Sequence, residues 1–308
     1  MSEPLIIWRL TDGKPGHMQQ TLGLVQALAK LTPCEVIDMD LTAQPVGFRD
    51  FLLGRFMPGL AKKRPDLIVG AGHATHFGVL AARKAAGGRS VALMKPSLPT
   101  TLFDFVIAPE HDGLKESGRI INTLGVMNPM QAGEKKPDSL LFLIGGPSKH
   151  VQWDNTAILQ QLEAVIATLK RGSAWRIADS RRTPESLSAV LLQKYGERFQ
   201  PFAECSPGWL AERLTVTETV WVSEDSVSMV YESLTAGCRV GLLRLPETDR
   251  QGRVMRGVET LIADGLVTSF GDWLRTGDFR AGRYFNEADR IATILLQRIR
   301  NGASAGQV

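Results

Sequence analysis

The chain has 308 residues, enough at ~150 residues per domain for two domains with a core each. Lys plus Arg number 36 against 32 Asp plus Glu, and a net charge of +4 over this length is too small to mark a nucleic-acid binder, while 44% apolar and 22% charged residues exclude global disorder. No run approaches the ~18 to 20 apolar residues of a membrane span, Met-Ser-Glu-Pro lacks a signal-peptide layout, and the separated Cys34, Cys205 and Cys238 suit neither a disulfide framework nor a cysteine zinc site, so a cytoplasmic location is expected.

Residues 5–10 read as the first strand. A Gly/Pro loop follows at 11–16, and then Met18, Leu22, Val25 and Ala29 recur at intervals of four, three and four, the spacing of a one-faced helix. Further strands are predicted at 34–39, 66–71, 91–94, 104–108 and 119–123. This alternation of short apolar runs with helical spacing predicts a doubly wound parallel sheet over residues 1–135. Gln-Ala-Gly-Glu-Lys-Lys-Pro-Asp at 131–138 has no apolar period and suits a linker. The pattern restarts with a strand at 140–144, a glycine turn and a helix at about 155–170. Strands at 175–178, 219–222, 240–245 and 266–270, with helices at about 184–194, 226–236 and 252–263, make 139–285 a second α/β domain. Ile291, Leu295 and Ile299 share a face of a closing helix, which with a tail accounts for 286–308.

In open α/β sheets, ligands bind beyond the carboxyl ends of strands, where glycine lets backbone N–H groups face an anion and a helix dipole adds positive charge. Four such turns stand out. Asp12-Gly13-Lys14-Pro15-Gly16-His17 joins the first strand to its helix; it is not a Walker loop, and its plain reading is a tight turn. A helix start favours the neutral imidazole that accepts a proton, so Asp12, Lys14 and His17 are candidate catalytic residues. Gly70-Ala71-Gly72-His73-Ala74-Thr75-His76 fails the dinucleotide pattern at its third glycine, and His73 and His76 lack a third ligand at metal spacing. Asp38 and Asp40 have the spacing of a divalent-ion pair, but surface carboxylates are the simpler account. Gly145-Gly146-Pro147-Ser148-Lys149-His150 suits a diphosphate-facing loop, with an ordinary turn as the alternative. In Ser223-Glu224-Asp225-Ser226-Val227-Ser228-Met229-Val230-Tyr231-Glu232, Ser226 or Asp225 can cap a helix on which Ser228 and Glu232 share a face.

The N-terminal Asp-Gly-Lys-Pro-Gly-His-Met-Gln-Gln run, the 145–150 run, Ser180-Arg181-Arg182-Thr183-Pro184 and the 224–232 run together resemble the mitochondrial fission Elm1-like family, whose bacterial members are often labelled predicted nucleoside-diphosphate-sugar epimerases. Gly13, Gly16 and His17, with Gly70, Gly72 and the helix at 78–82, are similar to the acceptor domain of MurG-like glycosyltransferases of the GT-B fold. Asp225-Ser226-x-Ser228-Met229-x-x-Glu232 resembles a run of UDP-N-acetylglucosamine epimerases, with Val227 and Ser228 standing where that run has two glycines. The resemblance implies two Rossmann-like domains facing across a cleft. It implies diphosphate contacts from Ser226, Val227, Ser228 and Met229 beside Gly145, Gly146 and Ser148, a ribose contact from Glu232, and help from Lys14, Lys149 and Arg181. His17 would serve as base or electrostatic group, with Gly13, Gly16, Gly72 and His73 on the acceptor side. The implied activity is glycosyl transfer from a nucleoside diphosphate sugar to a lipid-linked or saccharide acceptor, with no metal or other cofactor and no nucleic acid. A nucleotide-sugar epimerase or a non-catalytic scaffold are the alternatives.

Residues 48–64 interleave bulky apolar groups with five basic residues, a composition that can meet an anionic membrane surface. A helix packed on the first domain, with its charges in solvent, is the favoured reading, because Pro58 breaks the segment.

Overall fold

Strand β1 (Leu5–Thr11) lies one strand in from the edge of a six-stranded parallel sheet in the computed structural model, which describes residues 3–148, 151–245, 253–280 and 283–304. Around it lie α1 (Pro15–Leu31), β2 (Cys34–Asp40), α2 (Phe48–Leu53), β3 (Leu67–Ala71), α3 (His76–Ala86), β4 (Arg89–Leu93), β5 (Phe105–Pro109) and β6 (Ile120–Thr123). The order is β2-β1-β3-β4-β5-β6. Period-two alternation divides the apolar side chains between two cores. Ile7, Leu67, Val69, Val91 and Ile107 point to the face covered by α1, whereas Trp8, Ile68, Ala92 and Val106 point to the face covered by α3. Both faces are buried, which is why these strands read as nearly continuous apolar runs.

The second unit contains β7 (Lys136–Leu143), α4 (Asn155–Ala167), β8 (Ala174–Ala178), α5 (Glu185–Tyr195), β9 (Phe199–Gln200), α6 (Trp209–Val216) and β10 (Thr217–Ser223). It continues with α7 (Val227–Thr235), β11 (Arg239–Leu243), α8 (Arg253–Ala263), β12 (Thr268–Ser269) and α9 (Phe270–Thr276). Its sheet is also parallel, in the order β12-β11-β10-β7-β8-β9. The chain divides at residues 129 and 130, and β7 begins inside the stretch expected to be a linker. Lys136, Pro137 and Asp138 are exposed at the start of that strand, so its first turn of sheet carries no apolar signal. Among the described residues no helix is long and apolar enough to cross a membrane.

The closing helix α10 (Glu287–Ser304) belongs to the first unit, where Ile291, Ala292 and Leu295 enter the core beneath α1. Glu287 fixes its start. This buried carboxylate accepts the Leu124 N–H at 2.8 Å and two guanidinium bonds from Arg290 at 2.8 and 2.7 Å. Glu287→Ala removes an N-terminal anion together with its bonds to the Leu124 amide and the Arg290 guanidinium, so a loss of about 2 kcal/mol is expected. A lowered Tm checks it; an unchanged Tm would show that α10 docks by its apolar face alone.

Candidate functional site

Each sheet reverses its winding once: between β1 and β3 in the first unit, and between β7 and β10 in the second. At such a switch point the loops beyond the strand ends diverge and leave room for a ligand. The four predicted turns fall at these two places.

In the first unit, Gly13 takes a left-handed conformation (φ +72°) after β1, and Pro15 starts α1, where its missing N–H costs no hydrogen bond. This geometry folds the chain so that Asp12 and His17 meet. The nearly buried Asp12 carboxylate accepts the Lys14 N–H through Oδ1 at 3.2 Å, and its Oδ2 lies 2.9 Å from His17 Nδ1. In the neutral ring a carboxylate partner favours the tautomer with its proton on Nδ1, in which Nε2 carries the lone pair. The ring lies against Gly72, where a Cβ would come 2.2 Å from His17 Cε1, and Gly72 itself is left-handed (φ +79°). Asp12, His17 and Gly72 therefore form one constellation across the switch point. Lys14 Nζ is 4.0 Å from Asp12 and largely solvated.

Gly16 faces open space, and His73 is exposed. His76 is a core residue, edge-on to Phe103, and burial, helped by the charge of His73, pushes it down to about 4. Asp38 is held by Arg9 through two bonds of 2.6 Å. Asp40 accepts the Thr42 amide and hydroxyl, which hold its carboxyl below the usual range.

In the second unit three loops lock together. Gly145 N–H donates to Ser223 Oγ at 2.7 Å, and Gly146 N–H donates to Asp225 Oδ2 at 3.0 Å. Arg182 donates to the same Asp225 oxygen at 2.7 Å and to Gly146 O at 2.7 Å, and Thr183 Oγ1 donates to Ile144 O at 3.0 Å. The expectation that Gly145 and Gly146 offer open amides to a diphosphate is thereby corrected: their N–H groups are engaged by Ser223 and Asp225. A Cβ on Gly145 would sit 2.1 Å from Asp225 Oδ2, and one on Gly146 would sit 2.0 Å from Arg182 O. Burial raises the Asp225 carboxyl, against the bonds from Ser223, Gly146 and Arg182. Ser148 pairs with Val151 in a single antiparallel bridge, and Lys149 lies outside the described residues.

Arg181, named from the sequence, sits over the Phe202 ring at 5.9 Å instead of joining this knot. Its neighbour Arg182 is the residue that sequence reasoning missed. Two adjacent arginines carry no sequence signal of which one turns inward.

The open donors are one step further along the chain. Ser226 is the N-cap of α7, and Val230 N–H closes the first turn onto Ser226 O at 3.2 Å. The N–H groups of Val227, Ser228 and Met229 find no acceptor among the described residues, and the first turn has no acidic side chain to occupy them. Ser226 is buried beside them and Ser228 is exposed. One turn later Glu232 has no hydrogen-bond partner among the described residues, and burial lifts its carboxyl to about 7. Glu224, eight positions earlier, is consumed: it accepts Leu245 N–H at 2.6 Å and pairs with Arg244 at 2.8 Å. The arrangement offers main-chain donors and hydroxyls to an anion and, on the same helix, a carboxyl that can take hydroxyl groups.

The sequence pattern of the family described as mitochondrial fission ELM1 matches residues 15–299. No curated protein matches the chain. Among solved structures, it is similar to the UDP-GlcNAc 2-epimerase from Methanocaldococcus jannaschii, at 14% identity and a TM-score of 0.56, over 96% of this chain and 100% of that one. It is also similar to the UDP-GlcNAc 2-epimerase from Neisseria meningitidis bound to UDP-GlcNAc, at 11% identity and a TM-score of 0.50, again over 96% and 100%. At such identities the likeness shows the fold: α/β, with two Rossmann-like domains of the GT-B-like class.

Proposed function

The chain belongs to the mitochondrial fission ELM1 family, and from that membership and the geometry of its second unit we propose that it binds a nucleoside diphosphate sugar and transfers the sugar to an acceptor. The carrying observation is the start of α7, where three unengaged amides, Ser226 and Ser228 lie one turn before an unpartnered Glu232 at the β7/β10 switch point. The diphosphate oxygens would take the amides of Val227, Ser228 and Met229, and the ribose hydroxyls would take Glu232. Gly145, Gly146, Asp225 and Arg182 support this loop by holding its backbone in place. The solved epimerase carrying UDP-GlcNAc lends the ligand class plausibility through its shared fold.

Glycosyl transfer needs a base that removes the acceptor proton, and positive groups that stabilise the departing diphosphate. His17, oriented by Asp12, suits the first role, and the α7 N-terminus suits the second. Epimerisation would instead require two acid/base groups flanking the sugar. The acceptor is a saccharide or a lipid-linked one, and a membrane contact through residues 48–64, the less favoured reading of that stretch, would bring the second kind within reach.

Thermal unfolding against a panel of nucleoside diphosphates and their sugars tests the reading. A ligand at ~100 times its Kd is expected to stabilise by about 2.7 kcal/mol. His17→Ala should leave that shift unchanged while slowing transfer about 100-fold. No shift with any nucleotide would favour a scaffold, and sugar inversion without an acceptor would favour an epimerase.

A further inference from the structure

Five large apolar side chains between residues 48 and 60 lie in solvent: Phe48, Leu52, Leu53, Met57 and Leu60 are between 54% and 69% exposed. Helix α2 packs on its domain as the favoured reading has it, with Phe51 against the core and Phe48 edge-on to Phe77 at 5.5 Å, while the charges of the stretch stay in solvent. Leu52, Leu53, Met57 and Leu60 remain largely in solvent. Phe56 fills the space beneath them by stacking on Trp8 at 5.5 Å, and Gly59 lies so close that a Cβ would sit 2.4 Å from Trp8 Cη2. Trp8 Nε1–H donates to Lys63 O at 3.0 Å, and Lys84 Nζ donates to Leu52 O at 2.9 Å, so the segment is pinned at both ends. Beside α2 is a hollow of about 380 Å³ lined by Phe51, Leu80, Thr101 and Leu102, with Arg83 and Lys84 on its wall.

Charge decides what this surface meets. Arg49, Arg55, Lys62 and Arg64 are exposed and have no carboxylate partner among the described residues, whereas Asp50 is engaged by the Gly47 amide and Lys63 by Glu35. A second copy docking face to face would set these cations against themselves. Apolar groups interleaved with cations of one sign match the boundary between acyl chains and anionic headgroups, where each kind of side chain finds its own layer. We infer that residues 48–64, with the adjoining hollow, form a docking surface for an anionic phospholipid bilayer. Helix α2 has six residues and is too short to anchor alone, so binding needs the apolar and the basic groups together.

Co-sedimentation of the full chain with vesicles tests this without any nucleotide, so failure of the nucleotide reading leaves it untouched. Phosphatidylcholine vesicles with about 30% phosphatidylglycerol should bind at least about tenfold more protein at low salt than phosphatidylcholine alone, and high salt should release it. The variant Leu53→Ser/Met57→Ser/Leu60→Ser should bind the anionic vesicles about tenfold less at unchanged Tm, since it alters exposed groups only. Arg49→Gln/Arg55→Gln/Lys62→Gln/Arg64→Gln should lose the preference for anionic lipid. Absence of wild-type binding at low salt overturns the inference, as does undiminished binding by the serine variant. Light scattering that shows a dimer abolished by the serine variant, with no vesicle binding, would assign the surface to a second copy instead.

Discussion

Gly146→Ala is expected to destabilise the second unit by about 3 kcal/mol, whereas Gly16→Ala is expected to be neutral or to stabilise by up to about 1 kcal/mol. The two glycines stand in similar Gly/Pro turns after similar strands, yet the space around them differs. A Cβ on Gly146 would lie 2.0 Å from Arg182 O and 2.8 Å from Thr183 N, and these are backbone atoms that cannot swing aside. Relief would require loop 180–183 to move. That movement would break the Arg182 bonds to Gly146 O and Asp225, leaving a buried carboxylate short of its cation. On Gly16 a Cβ meets nothing within 4 Å, and in the first turn of α1 alanine has the better helix propensity. Five of the six tryptophans, from Trp153 to Trp273, belong to the second unit, so intrinsic fluorescence follows its unfolding preferentially. For a unit of this size the expected loss lowers Tm by roughly 10 °C. Equal Tm values for both variants would mean that the close approach at Gly146 is not what this glycine is for.

The contrast also shows what was legible in the sequence. Strands buried on both faces announce themselves as apolar runs, and β1, β3, β4, β5 and β10 lie within a few residues of their predicted bounds. The start of β7 is hidden because its first three residues are exposed, and β12 keeps two residues of the predicted five because Leu266 and Val267 are buried outside the ladder. Helix α10 shows its apolar face in the sequence but not the sheet that receives it, since a stripe of Ile and Leu fits any apolar floor. The turns were found by their glycines and hydroxyls. Their internal wiring was not, because it depends on which of two arginines faces inward and on a carboxylate, Asp225, that spends itself on the loop. Glycine marks close approach without saying whether a ligand or the protein's own backbone is what approaches.

Stability and nucleotide affinity should respond oppositely to pH, and Glu232 is the cause. Burial raises its carboxyl to about 7 in the folded protein, from 4.5 when unfolded. Between those values the folded state holds a proton that the unfolded state has lost, so stability falls as pH rises through this window and levels off above it. The full difference is about 3 kcal/mol, with the favourable part present below pH 4.5. Glu232→Gln keeps the shape and cannot ionise. It should match the wild type in Tm near pH 4.5 and exceed it above pH 7, and coincident pH profiles would show that the carboxyl is solvated in the folded state. A ribose asks for the opposite protonation state, because two hydroxyl donors are best received by the ionised carboxylate. A bound nucleoside diphosphate therefore draws the Glu232 proton off, and its affinity should be about tenfold weaker at pH 6 than at pH 8. A 2′,3′-dideoxy nucleotide, having no hydroxyls to offer, should bind without this dependence, as should any nucleotide to the glutamine variant. If the ribose and dideoxy forms show the same pH profile, the diol is held elsewhere and Glu232 is left with the stability effect alone.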